Sequence, residues 1–229
     1  MATIFEEAVS LYNKKRWNSA LQAFHEIDST LLSAGKQMEL AYYLGLCYTK
    51  LESYSDAVSH LEQVVAGDDS EEGAVRVCQC RLTLAYIYML TKRSRMAEVE
   101  LDHLINAGFK SGQIYTMMAY AACMQKKNER AVEMYEEALK VDSNNANAMN
   151  GLGFLLVETG LDVERGLELC KKAVNKYPQN AAYLDSLGWA YYKTGEIGEA
   201  RSCLRRALDL APRHKDISSH MKTLIAEAS

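Results

Sequence analysis

Proline is nearly missing from this chain: two in 229 residues, about a fifth of ordinary usage. The sequence therefore has little of the residue that interrupts helices and punctuates loops. Long hydrophobic runs are missing too, since no stretch approaches the roughly 18 consecutive apolar residues of a membrane span. The start, Met-Ala-Thr-Ile-Phe-Glu-Glu, has no basic segment followed by an apolar run, so no export signal is expected. We expect a soluble, cytoplasmic protein with no membrane insertion. Excess positive charge is also absent, with 26 Lys and Arg against 30 Asp and Glu. Nothing in such a field attracts a polyanion, and no nucleic-acid partner is expected.

Patterns that carry chemistry are equally scarce. The sequence has no glycine-rich phosphate loop and no nucleophile elbow. Its five histidines, His25, His60, His103, His214 and His220, lack the spacing of a metal motif. The six cysteines, Cys47, Cys78, Cys80, Cys123, Cys170 and Cys203, lack paired metal spacing and mostly fall inside apolar helical runs. They read as reduced structural thiols that behave as small hydrophobes. No catalytic residue, metal or cofactor is therefore expected, and the chain does not read as an enzyme.

What is present is periodicity. Pro178 and Pro212 are 34 residues apart, and a 34-residue frame divides the chain into 1–34, 38–71, 78–111, 112–145, 146–180 and 181–214. At the eighth position of each segment stand Ala8, Gly45, Ala85, Ala119, Gly153 and Gly188; further on come Ala20, Ala57, Ala97, Ala131, Gly166 and Ala200. Each segment holds two amphipathic runs joined by a short turn, such as Ala182–Thr194 and Glu199–Leu210 around Lys193-Thr194-Gly195-Glu196. Two helices tied so closely pack antiparallel, and small residues let their backbones approach. Larger core residues recur around them, Phe24, Leu61, Leu101, Tyr135 and Leu204 among them.

The sixth segment, Leu184-x-x-Leu187-Gly188-x-x-Tyr191 followed by Gly195, Ala200, Leu204, Ala207 and Pro212, resembles a tetratricopeptide repeat almost slot for slot. The stretch from Tyr183 to Tyr192 is similar to one common in bacterial members. The resemblance covers essentially the whole chain and implies an all-α fold. It implies a right-handed α-solenoid of about six helix-turn-helix repeats over 1–229, with a capping helix at 215–229. Asp216–Ala228 is expected as that helix, with Ile217, Met221, Leu224 and Ile225 on one face. The second helix of the first repeat is expected to run on through Leu31-Leu32 to Gly35. Asp68-Asp69-Ser70-Glu71-Glu72 reads as a capped helix start.

In this family the first helix of each pair lines a concave groove, so the resemblance also implies which side chains face a ligand. The slot after the Gly or Ala reads Val9, Leu46, Tyr86, Tyr120, Phe154 and Trp189, with Phe5, Tyr12, Tyr42, Leu82, Met89, Thr116, Asn150, Asp185 and Tyr192 flanking it. Such rings either form inter-repeat core or bind a partner. For Tyr120, Phe154, Trp189 and Tyr192 the partner reading is preferred. Some members clamp a terminal carboxylate with Lys and Asn on these helices; here Asn150 stands without a Lys nearby on its helix, which disfavours that mode. The expected function is a scaffold or adaptor that holds a partner peptide or helix in an apolar and aromatic groove. Self-assembly into a homo-oligomer and carriage of an apolar small molecule are the alternatives.

Overall fold

A computed structural model describes residues 3–67 and 73–227. These residues form thirteen α-helices and one short 3-10 turn, in two compact units, Met1–Phe109 and Lys110–Ser229. The first unit holds α1 (Ile4–Asn13), α2 (Trp17–His25), α3 (Ala34–Lys50), α4 (Tyr54–Gly67), α5 (Ala74–Leu90) and α6 (Ser94–Asn106). The second holds α7 (Gly112–Met124), α8 (Asn128–Val141), α9 (Ala146–Thr159), α10 (Val163–Lys176), α11 (Ala181–Lys193), α12 (Ile197–Leu210) and α13 (Lys215–Glu227). Up to α12, consecutive odd and even helices pack as hairpin pairs, and α13 packs on α11 and α12. The expected helix start at 68–72 lies outside the described residues.

One backbone device makes the hairpins. Each pair is joined by three residues, one of them in the left-handed region: Lys15, Glu52 and Lys92 in the first unit, Lys126, Gly160 and Gly195 in the second, with φ between 59° and 83°. In five of the six, all but the α9–α10 hairpin, the next N–H then reaches back five residues to a helix carbonyl, as in Arg16 to Leu11 (3.0 Å), Ser53 to Tyr48 (3.0 Å) and Glu196 to Tyr191 (2.9 Å). Such a bond satisfies a carbonyl that the helix end would otherwise leave orphaned. Glycine takes this conformation freely, whereas the three lysines and Glu52 each meet a steric penalty of about 1 kcal/mol.

The small slots are where the paired helices cross. Ala8, Ala20, Ala57, Ala85, Ala97, Ala119, Ala131 and Ala200 are fully buried. At the α9–α10 crossing both slots are glycine. A Cβ on Gly153 would lie 2.8 Å from the Gly166 carbonyl oxygen, and one on Gly166 would lie 2.7 Å from that of Gly153. Phe24, Leu61, Leu101, Tyr135 and Leu204 fill the space beside the crossings, each buried side chain contributing roughly 1.5–3 kcal/mol.

Two expectations needed correction. The second helix of the first repeat does not run to Gly35; it ends at His25. Asp28 Oδ1 accepts from the Thr30 N–H (3.0 Å) and hydroxyl (2.7 Å), capping the 3-10 turn Ser29–Leu31. That local bond competes with the helix ladder, so Leu31 stands 82% exposed and Gly35 falls inside α3. On α13, Ile217 and Leu224 are buried and Met221 packs against the cluster of Ala200, Leu204 and Leu224, but Ile225 is 52% exposed. The apolar face of α13 therefore has three residues, not four.

Candidate functional site

In the first unit, α3 carries Tyr42 and Leu46, and the adjoining α5 carries Leu82, Tyr86 and Met89. The Tyr42 hydroxyl donates to Gln79 Oε1 on α5, and its ring meets Tyr43 edge-on at 5.2 Å. Burial pushes the Tyr42 phenol up to about 12. Leu46, Leu82 and Met89 are half-buried, while Tyr86 is 49% exposed. The flanking Phe5 and Tyr12 belong to an aromatic core. Phe5 lies 5.8 Å from Phe24, Tyr12 lies 5.6 Å from Tyr43, and Phe24 stacks on Tyr43 at 5.4 Å.

In the second unit the first helices α7, α9 and α11 lie side by side. Ser111, Asn145 and Asn180 cap them through side chains that accept from first-turn N–H groups. On α7, the Thr116 hydroxyl donates to the Gly112 carbonyl (2.6 Å) and accepts from Asn145 Nδ2 (3.2 Å), which ties it to the next repeat. Tyr120, one turn on, is 52% exposed. On α9, Phe154 is half-buried, and the buried Asn150 Oδ1 has no hydrogen-bond partner among the described residues.

On α11 the picture changes, because Asp185 and Trp189 are each only 8% exposed. The Trp189 indole N–H donates to Glu158 Oε2 on α9 at 2.7 Å. The His220 ring of α13 stacks on Trp189 with 4.3 Å between centroids, and its Nδ1 lies 2.9 Å from Asp185 Oδ1. Tyr192 tilts against the same indole at 4.9 Å, and the Lys193 ammonium sits 4.9 Å from its centroid. The sequence slot is shared by Tyr86, Tyr120, Phe154 and Trp189, but their surroundings differ: a following helix covers Trp189.

No disulfide joins the six cysteines among the described residues. Burial pushes the thiols of Cys47 and Cys170 up to about 12, so they stay protonated at neutral pH and are poor nucleophiles. No group of three or more His, Cys, Asp or Glu that could hold a metal ion occurs among the described residues. No helix among them is long and apolar enough to cross a membrane. The face offers ring surfaces, amides and carboxylates.

A family model described as tetratricopeptide repeat matches residues 181–214, and a second, described as TPR repeat, matches residues 119–160. The crystal structure of a tetratricopeptide repeat protein from Parabacteroides merdae superposes with a TM-score of 0.80, covering 98% of this chain and 86% of that one. The chain carries tetratricopeptide repeats. At 11% identity that structure shows the fold alone. The TPR repeat-containing protein PA4667 of Pseudomonas aeruginosa is 29% identical over 121 residues, 51% of this chain and 20% of its own length. Photosystem I assembly protein Ycf3 of a Synechococcus strain is 30% identical over 98 residues, 42% of this chain and 56% of that protein. The chain thus spans less than two thirds of either curated relative.

Four residues of this repeat-bearing chain enter the candidate site although sequence reasoning did not single them out for it. The Tyr183 hydroxyl donates to Asn147 Oδ1 at 2.5 Å, bridging α11 and α9. Glu158 holds the Trp189 indole, and His220 covers it. Asn147 precedes Asn150 by three residues and Glu158 follows Phe154 by four, so helical spacing places them on the same face. His220 lies beyond the repeats, where no slot pattern points to it.

Proposed function

We propose that this protein is a non-catalytic scaffold that holds a segment of a partner protein against the faces of its first helices. Its repeats are read as six helix pairs followed by a cap. Tyr86 on α5 and Tyr120 on α7 are the principal anchors, with Tyr42, Leu46, Leu82, Met89, Thr116, Asn150 and Phe154 flanking them within their own units. The observation that carries this reading is exposure at one slot. That slot holds a large apolar or aromatic side chain in all six repeats, Val9, Leu46, Tyr86, Tyr120, Phe154 and Trp189. At Tyr86 and Tyr120 about half of the side chain meets water, 49% and 52%. Tyrosine is enriched where interfaces concentrate their binding energy, and its two rotatable side-chain bonds make it inexpensive to order. Burying the exposed part of one such ring contributes about 1–1.5 kcal/mol before ordering costs, so each tyrosine can anchor a partner segment within its own unit. The name of the Synechococcus relative, an assembly protein, is in keeping with a scaffold.

A random library of 15-residue peptides selected against the intact chain tests this. The expected binders carry aromatic or aliphatic anchors and lose at least tenfold in affinity for Tyr86→Ala or Tyr120→Ala. Binders indifferent to both substitutions would remove the reading.

A further inference from the structure

The second unit ends on a helix held by few anchors. Among the described side chains of α13, only Ile217 and Leu224 are buried, whereas α11 buries eight residues, Tyr183 to Ala190. The same α13 covers part of the first-helix face. His220 stacks on Trp189 at 4.3 Å, approaches Asp185 Oδ1 to 2.9 Å, and brings its ring within 6.2 Å of Phe154. Ile217, His220 and Leu224 follow one another at three and four residues, which puts all three on one helical face. Asp185 and Glu158 supply carboxylates beside an aromatic plane, a setting suited to a flat group with N–H donors.

We propose that α13 is a detachable occupant of this end of the face. A partner helix of the same pattern takes its place: an aliphatic residue, an imidazole or guanidinium three residues on, and a second aliphatic four further. This rests on the reading of the first-helix faces as binding surfaces. Elements with few buried apolar contacts open at lower free energy than the core around them. The link Ala211–His214 keeps α13 close when it lifts, so a competitor works against a local concentration on the order of millimolar.

The probe is a labelled peptide of the chain's own sequence 215–227, titrated into the full chain and into its Leu224→Ala variant. The variant, with α13 loosened, is expected to bind at least tenfold more tightly than the unmodified chain. Replacing His220 by Ala in the peptide is expected to weaken that binding at least fivefold. Equal binding to the two chains, or indifference to the peptide histidine, overturns the proposal. Should Leu224→Ala fail to fold, hydrogen exchange of the unmodified chain decides. Amides of α13 exchanging at least tenfold faster than those of α11 and α12 support a detachable helix, and equal protection overturns it. No outside partner is needed, so failure here leaves the anchors Tyr86 and Tyr120 to stand or fall on their own test.

Discussion

Trp189 donates its indole N–H to Glu158 Oε2 across 2.7 Å, joining two first helices 31 residues apart in sequence. With His220 and Lys193 over its ring, this tryptophan is a packed side chain with a polar edge, so its truncation acts on stability.

Replacing Trp189 by Ala is therefore expected to destabilise the second unit by about 3 kcal/mol, in the range for buried aromatic truncations. Tyr120→Ala, which removes a half-exposed ring, is expected to cost less than about 1 kcal/mol. Urea unfolding of the two variants checks the contrast. Equal losses would mean that Tyr120 is core and unfit as an anchor.

The four strained turns offer a stabilising change. Lys126→Gly relieves the left-handed penalty at φ 59°, offset in part by the added freedom of glycine in the unfolded chain, and should stabilise by about 0.5 kcal/mol. Gly195→Ala, at φ 83°, should destabilise by about 1 kcal/mol. Thermal unfolding midpoints are expected to move in opposite directions.

At the α9–α10 crossing, Gly153→Ala and Gly166→Ala each push a methyl into a carbonyl of the facing helix and are expected to cost about 2–3 kcal/mol. Gly35 is the control: nothing lies within 4 Å of its added Cβ, and Gly35→Ala in α3 should stabilise by about 0.5 kcal/mol. Chemical denaturation of the three variants measures this. Because the two crossing glycines touch, the double variant should not lose the sum of the two.

Thiol chemistry follows burial. Cys47 and Cys170, pushed up to about 12, are expected to resist an aromatic disulfide reagent at pH 8, while the half-buried Cys78 and Cys123 react first. The stability sign is fixed by the same shift. An unfolded thiol ionises near its ordinary value, about 9, while the folded one stays neutral. The folded chain thus binds more protons between about 9 and 12, and stability falls as pH rises through that window. Unfolding midpoints at pH 8 and 10.5, with Cys170→Ala as reference, would show a smaller alkaline loss in the variant.

Much of this fold is legible in the sequence, because close helix crossings leave a direct trace. Gly153 and Gly166 are small because backbone faces backbone there, and that constraint repeats every 34 residues. Local competition is less visible. Leu31 and Leu32 continue an apolar pattern, yet the Asp28 carboxylate takes the Thr30 N–H and ends the regularity. The candidate face can be placed by position in the sequence, but not its exposure. Tyr120 and Trp189 share a slot, and what separates them is the helix packed beyond Trp189, which no single repeat encodes. His220, its cover, lies outside every repeat.

The role of the first-helix face is tested most directly by site-specific photo-crosslinking in the intact chain. Benzoylphenylalanine is placed either at Tyr120, on that face, or at Lys140, exposed on α8. Crosslinking to one defined segment of a partner protein, at least fivefold stronger from position 120 and abolished by competition with a selected peptide, is the predicted result. Equal labelling from the two positions would contradict the account.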